Sequence, residues 1–274
     1  MPFLAGGVAV VTGAGSGIGR ALAQRLAEAG SALALVDINE KELAETVALL
    51  TGKRAEITTH HVDVANEEAV RDFAEDVTQR HGRATLLINN AGVALHGTFE
   101  QISLDDLRWL MGINFWGTVY GVKYFLPVLR RQPRAHIVNI SSIFGIIAPT
   151  GQTAYSASKF AVRGFTEALR HELAETSVAV SCVHPGGIRT AISRNGRLGA
   201  NAPQSAQDAA VARFDELTPT SPEAAAARIL RGVELREPRI VVGADARQAD
   251  ILQRLRPGNY WKTLARKIRG SAPP

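Results

Sequence analysis

The chain has one cysteine among 274 residues, Cys182. An internal disulfide is therefore excluded. The apolar run Val178-Ala179-Val180-Ser181-Cys182-Val183 marks the thiol as a buried small hydrophobe. That use of cysteine suits a reducing, cytoplasmic setting. No apolar run reaches about 18 residues, so no membrane-spanning helix is expected. The start, Met1-Pro2-Phe3-Leu4-Ala5-Gly6-Gly7, lacks the charged opening and apolar core of a secretory leader, and none is expected. The histidines and the cysteine show no metal-ligand spacing, and His60-His61 read as a strand end; no metal is expected. There is no Ser/Pro-rich linker and no internal repeat, so residues 1–250 read as one domain.

Acids are missing from one place in particular. After Asp250 come Arg254, Arg256, Lys262, Arg266, Lys267 and Arg269, with no Asp or Glu. Taking those six from the 31 Lys and Arg leaves 25 against 26 acids, so the body is nearly neutral and the formal +5 lies in the tail, 251–274. A neutral body without a reading motif argues against nucleic acid. If 259–269 is helical, Trp261, Leu264, Ala265 and Ile268 form an apolar stripe. A basic amphipathic helix suits an anionic membrane surface. The reading preferred here is a helix docked on protein with its charges solvated.

What is present alternates strand and helix. Apolar runs end near Thr12, Asp37, Val62, Asn89, Ile140, Val183 and Val242. Helical runs fill the gaps, among them Asn66–Arg80, Leu104–Leu129 and Ala157–Ala174. Seven strands with right-handed crossovers predict an α/β, doubly wound parallel sheet, with ligands beyond the strand carboxyl ends. Ser221-Pro222-Glu223 predicts a helix start, with Ser221 as cap and Pro222 in the first position.

Val8-Ala9-Val10-Val11 reads as a fully buried strand. It runs into Thr12-Gly13-Ala14-Gly15-Ser16-Gly17-Ile18-Gly19 and then a helix with Ile18, Leu22, Leu26 and Ala29 on one side. Strand, glycine turn and helix are the context of a dinucleotide fingerprint. Gly13, Gly15, Gly17 and Gly19 let backbone approach a pyrophosphate, and Ser16 and Ile18 lie where the helix N-terminus offers its N–H groups. Asp37 ends the next strand, 18 residues after Gly19, close to the spacing for a carboxylate on the adenosine ribose. It would repel a 2′-phosphate, and neither Ile38 nor Ser16 is a cation to receive one. NAD is therefore expected over NADP. Asp37 also suits a turn or cap before the helix starting near Glu40, and the two roles are compatible.

Tyr155 and Lys159 stand four apart, on one face of a helix. A free phenol titrates near 10, and a fixed ammonium close by lowers that value. Such a pair can exchange protons with an alcohol or ketone.

With Asn89-Asn90-Ala91-Gly92 and Ser142 added to these, the chain resembles the short-chain dehydrogenase/reductase family over roughly Val8 to Val242. The resemblance implies a Rossmann-type single domain. Asp63 and Val64 match the pair that contacts adenine, and Asn90, Ala91 and Gly92 match the segment closing over the cofactor. Asn114 matches the family's helix asparagine. Ser142 lies 13 residues before Tyr155, the family's usual separation. Pro185, Gly186, Ile188 and Thr190 match the segment that holds the nicotinamide carboxamide. The insertion 191–217 implies a mobile lid over substrate. A homotetramer or homodimer built on the long helices is also implied.

The chemistry implied is hydride transfer between NAD and an alcohol carbon. Tyr155 carries the hydroxyl proton, and Ser142 bonds the substrate oxygen. Lys159 tunes Tyr155 and holds the nicotinamide ribose, while Asn114 positions a water in a proton relay. Ile143, Phe144, Ile146, Ile147 and Pro149, with Leu95 and His96, suggest an apolar wall. An uncharged, fairly apolar secondary alcohol or ketone is expected. An NADP-linked ketone reductase and a non-catalytic nucleotide-binding regulator on the same fold are the rivals.

Overall fold

The computed structural model describes residues 3–52 and 55–270; the side chains of 266–270, Ile268 and Arg266, Lys267 and Arg269 among them, lie outside the described residues. In chain order the elements begin β1 (Val8–Thr12), α1 (Gly17–Glu28), β2 (Ala32–Asp37), α2 (Glu40–Ala48), β3 (Ile57–His61), α3 (Glu67–His81), β4 (Leu86–Asn89) and β5 (Leu95–His96). Then follow α4 (Leu104–Met111), a π-helical turn (Gly112–Trp116), α5 (Gly117–Arg130), β6 (Ala135–Ile140), a 3₁₀ turn (Ile143–Gly145) and α6 (Thr153–Glu172). The chain continues through β7 (Val178–Pro185), β8 (Arg197–Leu198), α7 (Gln204–Glu216), α8 (Pro222–Glu234), β9 (Arg239–Val242), α9 (Ala244–Leu255) and α10 (Tyr260–Gly270).

Seven parallel strands form one sheet in the order β3-β2-β1-β4-β6-β7-β9. The order reverses between β1 and β4, which opens a crevice beyond their carboxyl ends. Helices cover both faces, so β1 and β4 are buried at every residue. Successive residues serve opposite faces. Val11 packs with Leu22, Leu26 and Ile229 under α1 and α8, while Val10 packs with Phe73, Val77 and Phe125 under α3 and α5.

Local signals act where expected. The Ser221 side chain accepts from Ala224 N, with Pro222 at the first position of α8. The Asn66 side chain caps α3, and Gly82 ends it at φ 70°. Other elements depart from expectation. The run Leu104–Leu129 is broken by the π turn, where one extra residue per turn widens the helix around Asn114. Helix α6 starts at Thr153, ahead of the run expected from Ala157, and Tyr155 lies in its first turn, on the same helix as Lys159 as their spacing predicts. The β5–β8 pair is additional. Helix α9 runs through Asp250, the last residue assigned to the body, and Asp250 bonds Arg239 at 2.8 Å and Arg254 at 3.1 Å. Among the described residues no helix is long and apolar enough to cross a membrane.

Candidate active site

The glycine turn is built for close approach. Gly13 has φ +64°, and a Cβ there would lie 2.9 Å from Ala91 Cα. A Cβ on Gly19 would run into the Gly13 carbonyl. Asn90 locks the turn to β4, its Nδ2 donating to Thr12 O at 2.9 Å and Gly13 O at 3.1 Å. Both Asn90 N and Ala91 N donate to Thr12 Oγ1. Ser16, the cap residue of α1, makes no side-chain cap, and no acid sits in the first turn. The first-turn N–H groups are thus left for an anion. A cavity of about 460 Å³ lies beside them, lined by Ser16, Gly17, Arg20, Thr190 and Arg194 among others. These features fit a dinucleotide pyrophosphate.

Asp37 at the end of β2 accepts from Gly15 N at 2.8 Å and from Asn39 N at 3.0 Å. It therefore anchors both the glycine turn and the entry to α2, where Asn39 is the cap. A cation does stand near: Arg20 donates to Gly15 O at 2.9 Å. Its guanidinium is held by Glu45 at 3.1 Å, Thr46 and the Glu42 carbonyl. Arg20 follows the last glycine of the turn, and only the folding of α2 onto α1 shows where it points. Asp63 Oδ1 accepts from Ala65 N, and Val64 packs against Gly117 at the end of the π turn.

The residues expected to handle the proton converge at the carboxyl ends of β4 and β6. Ser142 follows β6 and caps the 3₁₀ turn, its Oγ accepting from Phe144 N at 3.0 Å. Tyr155 and Lys159 lie on α6, with Lys159 Nζ 5.7 Å from the Tyr155 ring centroid. Burial pushes the Tyr155 phenol up to about 12, outweighing a hydrogen bond from Ser142 that draws it down. Burial likewise brings Lys159 down to about 8, countered by its Coulombic interaction with Cys182. The Lys159 ammonium donates to Ile140 O at 3.2 Å. In the protein alone, desolvation sets the direction for both groups, since both charged forms lose water, and Lys159 is not among the causes acting on the phenol.

Asn114 is completely buried. Its Oδ1 accepts from Val93 N, and its Nδ2 donates to Val93 O and Ser158 Oγ, so the side chain ties the segment after β4 to α6. A Cβ on Gly92 would lie 3.2 Å from Asn114 Oδ1 and 3.3 Å from Lys159 Nζ, which shows how closely these groups gather.

The segment after β7 forms the other rim. Gly186 N donates to Val242 O, and Gly187 N donates to the Asp245 carboxylate at 2.7 Å. Ile188 is buried and bridges Thr220, and Thr190 stands against Gly17 of the glycine turn. Arg189 donates to Pro219 O. Two neighbours escaped the sequence reading. Asp245 lies far along the chain. His184 directly precedes Pro185, and only the fold places it under the serine. Burial lowers His184 to about 4, so the ring is neutral and Nδ1–H donates to Ser142 O at 3.0 Å.

The apolar wall is only partly as expected. Leu95 packs beside Tyr155, and the Phe144 ring stands edge-on to it at 6.1 Å. Ile143, Ile146 and Ile147 pack on Ala246 and Ala249 of α9. His96 instead turns to the 191–217 insertion, its Nε2 bonding Ser193 O at 2.8 Å. The insertion 191–217 has two parts. Residues 193–202 are fastened: Arg197 N donates to Ala94 O, Gly199 N to His96 O, and Ala200 N to Asp106 at 2.9 Å. Helix α7 carries no buried residue.

The short chain dehydrogenase family model matches residues 7–200. This chain belongs to that family. Its relatives include the protein named SadH of Mycobacterium tuberculosis, 45% identical over 268 residues, covering 97% of this chain and 96% of SadH. Dehydrogenase/reductase SDR family member 7B of Xenopus laevis is 33% identical over 274 residues, covering 97% and 83%. Among solved structures, a short-chain dehydrogenase/reductase from Burkholderia phymatum in complex with NAD superposes with a TM-score of 0.86, at 32% identity over 94% of this chain and 96% of that one. The chain is thus a short-chain dehydrogenase-type oxidoreductase with a Rossmann-type fold, and its structural neighbours include NAD complexes from Burkholderia phymatum and Mycobacterium paratuberculosis.

Proposed function

We propose that this chain reversibly transfers hydride between NAD and an uncharged, fairly apolar secondary alcohol or ketone. The observation that carries the reading is the convergence of Ser142, Tyr155 and Lys159 beside the glycine turn, with Asp37 at the end of β2. In this reading Gly13 to Gly19 cradle the pyrophosphate and Asp37 takes the adenosine ribose. Asp63, Val64 and Asn90 to Gly92 line the adenine side, and Pro185 to Thr190 hold the carboxamide. Lys159 holds the nicotinamide ribose. The bound nicotinamide supplies or accepts the hydride.

Tyr155 handles the proton. Pushed up to about 12, the phenol is protonated at neutral pH and ready to donate to a ketone oxygen as that oxygen gains charge. In the oxidising direction the phenolate takes the hydroxyl proton. Ser142 donates to the substrate oxygen, held in place by the bond from His184 to its carbonyl. Asn114 fixes the geometry around Lys159 and supports a water relay to solvent. Ile143, Phe144 and Leu95 give the substrate an apolar setting.

Trp116 and Phe160, 47% and 40% exposed on the π turn and α6, support a homodimer or homotetramer built on the long helices. The single, buried Cys182 fits a cytoplasmic setting. An NADP-linked reductase draws support from Arg20 alone, whose guanidinium Glu45 already holds. The test is a panel of secondary alcohols with NAD, followed by absorbance of the reduced cofactor. Turnover of apolar members is expected. No turnover with any member, or a higher kcat/KM with NADP, would overturn the reading.

A further inference from the structure

The tail was expected to dock, and its docking site adjoins the catalytic loops. Tyr260 and Leu264 of α10 pack into the cluster formed by Ile143, Ile146, Ile147, Ala246 and Ala249. The Tyr260 phenol oxygen accepts a hydrogen bond from Ala148 N at 2.9 Å. Ala148 lies midway along the loop that joins Ser142 to Tyr155. In the same cluster Phe144 meets the Tyr155 ring edge-on. A continuous line of contact therefore runs from α10 through the wall after Ser142 to the catalytic ring. The mounting is firm at the other end too. In the first turn of α9, Asp245 accepts from Gly187 N, and Asp250 further along binds Arg239.

We propose that α10 sets the length of apolar substrate the site accepts, with Leu264 fixing the depth of the wall and Tyr260 acting as a positioning residue for the 146–149 loop. The inference rests on the proposed alcohol/ketone chemistry and deepens it: the substrate's carbon chain lies along Ile143, Phe144 and Ile147, and α10 backs that wall. Shortening Leu264 lets the wall retreat and admits a longer chain. Removing the Tyr260 hydroxyl frees Ala148 N and loosens the loop without emptying the cluster.

The test is a homologous series of methyl ketones and their alcohols, with the wild type, Leu264→Ala and Tyr260→Phe. In Leu264→Ala the best substrate should move to a longer homologue. The long-to-short ratio of kcat/KM should rise about tenfold, the scale of one methylene in an apolar pocket. In Tyr260→Phe, KM for ketone should rise at least about threefold with kcat nearly unchanged, a split that a general loss of stability does not produce. NAD binding should be unaltered in both. Ketone affinities measured by titration calorimetry on the NADH-loaded proteins read the same ranking without turnover. An unchanged chain-length ranking in Leu264→Ala, with NAD binding intact, overturns the proposal. Failure of the wild type to turn over any member overturns the proposed chemistry instead, and the calorimetric ranking then decides the role of α10. Binding of no ketone by any form overturns both.

Discussion

Tyr155 sits in the first turn of α6 with its hydroxyl turned to Ser142, and burial decides its resting form. Because the phenol is pushed up to about 12, alcohol oxidation draws on a small phenolate fraction that grows about tenfold per pH unit. Log kcat/KM for oxidation should climb with a slope near one from about pH 6 to 8, while ketone reduction stays level or falls. The rise should slacken above about 8 as Lys159 loses its charge. A flat oxidation profile would exclude the phenolate as base. Tyr155→Phe keeps the ring against Phe144 and removes the proton carrier. Turnover should drop at least about a hundredfold with NAD affinity retained, checked by steady-state rates and cofactor titration. The part proposed for Asp37 in choosing the cofactor has its own test. Asp37→Ala should narrow the preference for NAD over NADP, and adding Ile38→Arg at that exposed position should shift it towards NADP, since guanidinium offers a permanent charge and a planar fork. Ratios of kcat/KM for the two cofactors decide the matter.

Among the elements, α4 shows how one side chain serves two structures. Ser103 and Asp106 form a capping box at its start. The same Asp106 carboxylate accepts from Ala200 N and lies 3.7 Å from Arg197, whose guanidinium stacks over Trp109. The bond from Ser103 N is the leading cause that holds Asp106 below the usual carboxylate range, opposed by desolvation and helped by Ala200 N. Asp106→Ala should therefore release residues 197–200 and weaken the helix start together. We expect about 1–2 kcal/mol of lost stability by chemical denaturation, the scale of a lost cap, with a changed KM for alcohol. Unchanged KM would show that the fastened part of the insertion does not face substrate. Because Asp106 is depressed, its contribution is present above its unfolded pKa and fades as pH falls through the folded value. The capping box spans only four residues, Ser103 to Asp106, and went unread, while the bond to Ala200 joins partners 94 positions apart and no local pattern announces it. The π turn escaped for a related reason. Gly112 opens the segment, but a glycine does not by itself specify an i→i+5 turn.

At the scale of the molecule, α10 adds apolar surface to a small cluster otherwise built from the loop after β6, α9 and Val241. Truncation after Gly258 should lower Tm by several degrees, since losing Leu264 and the Tyr260 ring uncovers Ile143 to Ile147. NAD binding should persist, since the glycine turn and Asp37 are not part of the cluster on which α10 packs. The membrane alternative makes a different demand: full-length protein that sediments with anionic vesicles, releases as salt screens the charges, and loses binding on truncation. Vesicle binding together with an unchanged Tm in the truncated protein would favour that role over docking.

What the sequence determined by itself is local or repeated. The buried strand before the glycine turn, the acid at the next strand end and the spacing of Tyr155 and Lys159 need no knowledge of distant partners. Each is set by backbone sterics, side-chain periodicity or a short offset along the chain. The seven strands followed from alternating apolar runs, and their parallel order from the handedness of crossovers. Tertiary structure alone decided which remote groups meet at the site. His184 under Ser142, Asp245 on Gly187, Arg20 held by Glu45 and Tyr260 on Ala148 are ordinary residues in ordinary local settings. It also decided the resting charge of Tyr155 and Lys159. Their charged forms lose water to atoms contributed by many segments at once, and a short stretch of sequence does not hold that sum.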